Sequence, residues 1–328
     1  MQNYAKLPKT PPDIIAKLKN QGLNIADIGA AQKFLSKVSY YRFRGYLYPY
    51  FDLTSPEKPR KFQIDSTFEK AWEMYCFDES LRKLIFNIFP EIEVSLRTAL
   101  DIAISPVANH GFWYLEKSWI SSKKNEEFNQ LLCGLERKFN KSKETYIEHY
   151  RTNYFNNVSR EYKHLPPFWI ISELATLGEL KILFEILDEK ASNFGATSTV
   201  PKSTILDKMA HQFGAAHYRE LVNWVHVLRD LRNLCAHHGR LWNRNLPASQ
   251  GISSKLSKPL TISNTTSRKP ENSVYAAIVV LRIMCQHQSI HDGLKDGLLT
   301  LFTRFPESLN HRKAMGMPPD WSNDRIWL

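Results

Sequence analysis

Apolar residues recur at three- and four-residue intervals along most of the chain, the period of α-helices that bury one face. Leu221, Trp224, Leu228, Leu231 and Cys235 make the clearest such stripe. On the same expected helix, His226, Asp230, Asn233, His237 and Arg240 make a second, polar stripe, because positions three, four and seven apart share a face. Between Thr67 and Ser105 the pattern is helical and broken at Pro90, with Trp72, Tyr75 and Cys76, then Leu81, Leu84, Ile85 and Ile88, then Ile92, Leu96, Ala99 and Leu100 facing inward. Phe168 to Leu187 predicts one amphipathic helix, Ser203 to Gln212 another, and Ser273 to Ile290 a third. Near the amino end, Asp13 can cap a helix that Gly22 closes, and Asn24 to Val38 predicts the next.

The intervening stretches carry turn residues. Residues 1–12, with Pro8, Pro11 and Pro12, predict an extended lead-in; residues 52–66, with Pro56 and Pro59, predict a loop. Residues 191–203 are rich in Ser, Thr, Asn and Gly. Residues 246–273 predict an exposed loop bearing Lys255, Lys258, Arg268 and Lys269. No alternating strand runs appear at hairpin spacing, and there is no glycine-rich phosphate loop. The expectation is an all-α protein in four segments: a helical element over 1–66, a helical core over 67–245, a basic loop over 246–272, and a C-terminal helix and tail over 273–328.

Composition narrows the partner. A chain of 328 residues that is 43% hydrophobic can bury a large core, and its net charge of +11 calls for an anionic partner, nucleic acid ahead of a membrane surface. Cys76, Cys133, Cys235 and Cys285 lie far apart, which suggests neither a disulfide scaffold nor a zinc ribbon. No stretch reaches the roughly 18 apolar residues of a membrane span, so a soluble, reduced, cytoplasmic protein is expected. Lys123, Lys124, Lys138, Lys141 and Lys143 are candidates for sequence-independent phosphate contacts, against the alternative of a solvated helix face. The aromatic block from Tyr40 to Phe51 encloses Arg42 and Arg44, which suits either packing between helices or base stacking beside phosphate contacts. Glu91, Glu93 and Arg97 are spaced for ion pairing along a helix.

Candidate chemistry concentrates in residues 231–244, where Arg232, Asn233, His237, His238, Arg240 and Arg244 fall within one short string. An imidazole titrating near neutrality can take the proton of a ribose 2′-hydroxyl or supply one to a leaving 5′-oxygen. Arginine forks onto phosphate oxygens and can stabilise charge developing there. Arg232 and His237 would be about 140° apart around an ideal helix. Either the helix bends near Gly239, or the two act across a groove with a second copy, most simply in a C2 pair. Spacing alone is unspecific, since Arg219 with His226, Arg282 with His287 and Arg304 with His311 also satisfy it. Cys235, His237 and His238 supply too few ligands for a zinc site.

The full string Arg-Asn-Leu-Cys-Ala-His-His-Gly-Arg-Leu-Trp-Asn-Arg, residues 232–244, resembles the signature of the Abi-like abortive-infection proteins of the AbiD and AbiF type, which carry the R-x(4–6)-H motif of the HEPN superfamily. The resemblance extends to Ser39 through Tyr50, Phe77 through Arg82, Glu91 through Thr98, Pro167 through Leu180, and Ala314 through Trp321. It implies a HEPN-type helical bundle with added N- and C-terminal elements. It further implies a dimeric, metal-independent endoribonuclease of phage defence, needing no cofactor and kept in check in some relatives by a structured non-coding RNA. Carried over residue by residue, Arg232 and His237 become the catalytic pair, Asn233 the adjacent polar residue, and His238 and Arg240 supporting residues. Arg42, Arg44, Lys138, Lys141 and Arg244 are the expected RNA contacts. Gly239 departs from the small polar residue expected there. Two alternatives stay open: an RNA-binding defence module that does not cleave, and a HEPN partner in a transferase toxin–antitoxin pair.

Overall fold

A computed structural model describes residues 7–54, 59–188, 202–261 and 269–328. Arg268 and most of the 191–203 segment lie outside them. The described residues are all α-helical, with short 3-10 turns and three isolated bridge pairs, Asn24 with Thr67, Phe51 with Phe62 and Ile120 with Leu187.

Local signals set the boundaries of the first helices. Helix α1 (Pro11–Asn20) begins behind Thr10, whose hydroxyl forms a capping box with Asp13, and Gly22 at φ +90° turns the chain away. Helix α2 (Ile28–Lys37) is capped by Asp27, and α3 (Tyr40–Leu47) by Ser39. The aromatic block is therefore itself a helix, which buries Phe43, Tyr46 and Leu47 while Tyr41 stays 89% exposed. Thr67 caps α4 (Phe68–Phe86), and Pro90 sits in the first turn of α5 (Phe89–Ala108), where its missing N–H costs nothing.

Helices α6 (Asn125–Lys141) and α7 (Thr145–Asn153) occupy the basic polar region. The single helix expected from Phe168 to Leu187 is instead α8 (Phe168–Ile171), a 3-10 turn, and α9 (Leu177–Ile186). Thr176 and Glu179 form a capping box that starts α9 afresh, and the Ala175 carbonyl is taken by Arg97, 2.8 Å away. The remaining helices are α10 (Lys202–His211), α11 (Tyr218–Ala236), α12 (Ile252–Lys255), α13 (Val274–His287), α14 (Leu294–Arg304) and α15 (Glu307–Asn310). The expected loop after residue 246 is anchored: Leu246, Ser249 and Ile252 are buried, and Asn223 and Trp224 of α11 bond to the Ala248 and Gln250 carbonyls.

Helix α11 is the hub, packing against α4, α9, α10 and α13. Its expected apolar stripe of Leu221, Trp224, Leu228, Leu231 and Cys235 is buried throughout. Removing each such large side chain from water contributes about 1.5–3 kcal/mol. One contiguous apolar core runs from Ile14 to Trp327 around it. No helix among the described residues is long and apolar enough to cross a membrane.

Candidate active site at the end of α11

Helix α11 stops one residue before His237. The Gly239 amide donates to the Leu234 carbonyl at 2.7 Å and the His238 amide to that of Cys235 at 3.1 Å, the paired bonds of a Schellman turn. His238 takes the left-handed position at φ +55°, where glycine is usual. The expected polar stripe therefore holds from His226 through Asn233 and ends at His237. Arg240 lies past the turn, and its guanidinium donates to the Gly45 carbonyl of α3 at 2.9 Å.

The turn is fastened from below by groups that sequence reasoning passed over. Asp78 of α4, fully buried, accepts from the amides of Leu241 at 3.1 Å and Trp242 at 2.6 Å, from the Tyr46 hydroxyl at 2.6 Å, and from the Arg82 guanidinium. Arg82 also donates to the Gly239 carbonyl at 3.1 Å. Arg42 of α3 donates to the His238 carbonyl, so one of the expected RNA contacts is spent on holding the turn. Burial pushes the Asp78 carboxyl above the usual carboxylate range, against the pull of Arg82, Tyr46 and the two amides. The signal that could have revealed Asp78 is its place between Phe77 and Leu81 in an apolar stripe with Arg82 one turn on.

His237, His238 and Arg244 of the motif stay exposed beside this clamp, and Arg232 is partly so. His237 is exposed at the helix end, and among the described residues its ring has no hydrogen-bond or ion-pair partner. Arg232, five residues earlier, is partly exposed. Its Nε lies 3.2 Å from Glu93 Oε1 of α5, its Nη1 3.5 Å from Asn233 Oδ1, and its guanidinium 6.0 Å from the Phe86 ring. The Asn233 side chain thus faces Arg232, while its backbone carbonyl receives the His237 amide at 2.9 Å. Cys235 is buried, with its thiol pushed up to about 12 by desolvation, so it is no nucleophile or ready metal ligand.

The other named residues are dispersed. Arg44 is exposed on α3, and Arg244 is exposed just past the clamped segment. Lys138 and Lys141 lie on α6: Lys138 pairs with Glu179 and donates to the Leu174 carbonyl at 3.1 Å, whereas Lys141 is exposed. The look-alike motifs serve the scaffold. Arg282 pairs with Asp292 at 2.8 Å, His311 packs against Trp242 and Tyr50, and His226 lies 3.7 Å from Asp230. No group of three or more His, Cys, Asp or Glu that could hold a metal occurs among the described residues.

With this geometry in place, comparison with known families matches residues 33–243 to the family described as Abi-like protein. No curated protein and no solved structure matches the chain.

Proposed function

Because the chain belongs to the Abi-like protein family, we propose that it is an abortive-infection effector that cleaves RNA at the Arg232–His237 site without a metal. The observation that carries this reading is the pairing of an accessible, unpartnered His237 with a partly exposed Arg232 on a helix end fixed by Asp78, Arg42 and Arg82. A rigid mount suits acid–base chemistry, which depends on a held geometry. His237 serves as the proton donor or acceptor for the 2′-hydroxyl or the leaving 5′-oxygen, and Arg232 as the phosphate ligand.

A second copy related by a two-fold axis would bring its own Arg232 and His237 to the same phosphate and complete a composite site. In this reading the bundle is of HEPN type, and a structured RNA can hold the site inactive by occupying it. Arg44 and Arg244 are exposed and suited to phosphate contact.

The test is induction of wild type, His237→Ala and Arg232→Ala in bacteria, followed by growth and RNA integrity. Wild type is expected to arrest growth and leave fragments with 2′,3′-cyclic phosphate and 5′-hydroxyl ends, insensitive to chelators in vitro. Each variant is expected to lose activity by about 10²–10⁴. A second reading, a binder that does not cleave, is favoured by the Glu93 carboxylate already holding Arg232. It predicts intact RNA with all three proteins and RNA co-purifying with each.

A further inference from the structure

At the carboxyl end of α6 the surface folds into an open groove of about 410 Å³, with Leu174 as its floor and Arg137, Lys141 and Lys143 on its walls. These three cations are exposed, and none has an ion-pair partner among the described residues. Lys138 also lines the groove but is neutralised by Glu179. Glu144 is the acid of the lining, so positive charge dominates.

A helix carboxyl end ordinarily repels anions, because its last carbonyls are unsatisfied. Here that repulsion is reduced. The Ser142 amide takes the Lys138 carbonyl at 2.9 Å, and Arg151 of α7 donates to the carbonyls of Phe139 and Ser142, adding a further cation beneath the groove.

The groove is also wired to the motif. Arg97 lies 3.6 Å from Glu173 and donates to the Ala175 carbonyl, beside Leu174 of the groove floor. One turn back on α5, Glu93 lies 3.8 Å from Arg97 and 3.2 Å from Arg232. Glu93 and Arg97 are largely buried, so this is a chain of ion pairs inside the protein that joins the neighbourhood of the groove to Arg232.

We propose that this groove is a strand-holding site for single-stranded RNA, gripping backbone phosphate through Arg137, Lys141 and Lys143. Exposed cations around a small open groove match the backbone contacts by which single strands are bound without sequence preference. The proposal rests on the nuclease reading for the destination of the strand, while binding in the groove is independent of cleavage.

The experiment uses the full chain with His237→Ala, so that RNA survives, and measures anisotropy of a short fluorescein-labelled single-stranded RNA. R137E/K141E/K143E is compared with K19E/K33E/K37E, an equal charge change on exposed lysines of α1 and α2. The groove variant is expected to lose at least tenfold in affinity, with a salt slope shallower by about two, since each lost phosphate contact on a single strand removes about 0.7. The control triple and R137K/K141R/K143R are expected to bind as the parent does. Annealing the probe to its complement is expected to weaken binding to the parent. Equal losses in the two charge-reversed variants, undiminished binding of the duplex, or capture of phosphatidylserine vesicles in place of RNA overturns the proposal. Groove-dependent binding alongside a wild type that never cleaves supports the groove and refutes the nuclease reading alone.

Discussion

Arg232 Nε on α11 lies 3.2 Å from Glu93 Oε1 on α5, a contact that ties the motif's arginine to a carboxylate 139 positions away in sequence. The other Glu93 oxygen faces Arg97 at 3.8 Å, and the Arg97 Nε is buried without a partner. One carboxylate thus serves two guanidiniums, and a phosphate arriving at Arg232 would leave Glu93 free to close on Arg97. If Arg232 binds phosphate as proposed, the carboxylate would compete with the substrate for it.

Glu93→Gln is therefore expected to raise RNA affinity in the His237→Ala background by about threefold to tenfold. It should also lower stability by about 1–2 kcal/mol, because a partly buried ion pair loses one member. Anisotropy and thermal melting check the two signs. Affinity unchanged or reduced would mean that Glu93 orients Arg232 without competing for it.

Asp78 makes the opposite kind of contact, all structure and no substrate. Asp78→Ala removes the acceptor of four donors at once and leaves the Arg82 charge buried, so a loss of roughly 3–5 kcal/mol is expected. Tyr46→Phe removes a single partner of the same carboxylate and should cost about 1–2 kcal/mol. In Tyr46→Phe the turn remains pinned by the two amides and Arg82, so any cleavage is expected to persist at more than half of wild type. Denaturant melts and the RNA assay read these separately.

How much of this was legible follows from the range of each signal. The α11 stripe from Leu221 to Cys235 announced itself, because helical periodicity is local and the residues are all apolar. Thr10 with Asp13 and Thr176 with Glu179 were also readable as capping boxes. The apolar run from Phe168 to Leu187 masked the second, because Ile170, Leu174 and Leu177 look the same in one helix or two. The clamp was not legible. Asp78 and Leu241 are 163 positions apart, and only the packing of α4 against α11 brings them together. For the same reason the contact between Arg42 and the His238 carbonyl, 196 positions apart, was not legible.

His238 provides a test of the turn itself. A non-glycine residue in the left-handed region carries a strain of about 1 kcal/mol, tolerated by His better than by β-branched residues. His238→Gly is expected to keep or slightly raise the melting temperature, and His238→Val to lower it by a few degrees. If His238 supports only the backbone turn, any RNA cleavage survives His238→Gly and falls with His238→Val as the Schellman bonds loosen. Loss of cleavage in His238→Gly with an unchanged melting temperature would instead assign the imidazole a direct role.

A pH dependence of stability should come from His311. Its ring is held between Tyr50 Oη at 3.2 Å and Glu307 at 3.3 Å, with the ring of Trp242 5.3 Å away. Glu73 faces the same helix end, accepting from the Glu307 amide at 2.7 Å. Burial pushes the imidazole below the usual histidine value, and Glu307 only partly offsets it. The unfolded chain then binds the proton more readily than the folded one, so stability is complete above about pH 6.5 and declines as pH falls below it. Melting temperature is expected to fall between pH 7 and pH 5.5 in wild type and to fall less in His311→Gln, whose amide reaches the same partners without titrating. Parallel curves for the two proteins would show that His311 stays neutral, or equally charged, in both states. Because Trp242 packs on His311 and hangs from Asp78, the same acid range should loosen the segment that follows the motif, measurable as faster amide exchange at Leu241 and Trp242 in wild type than in His311→Gln.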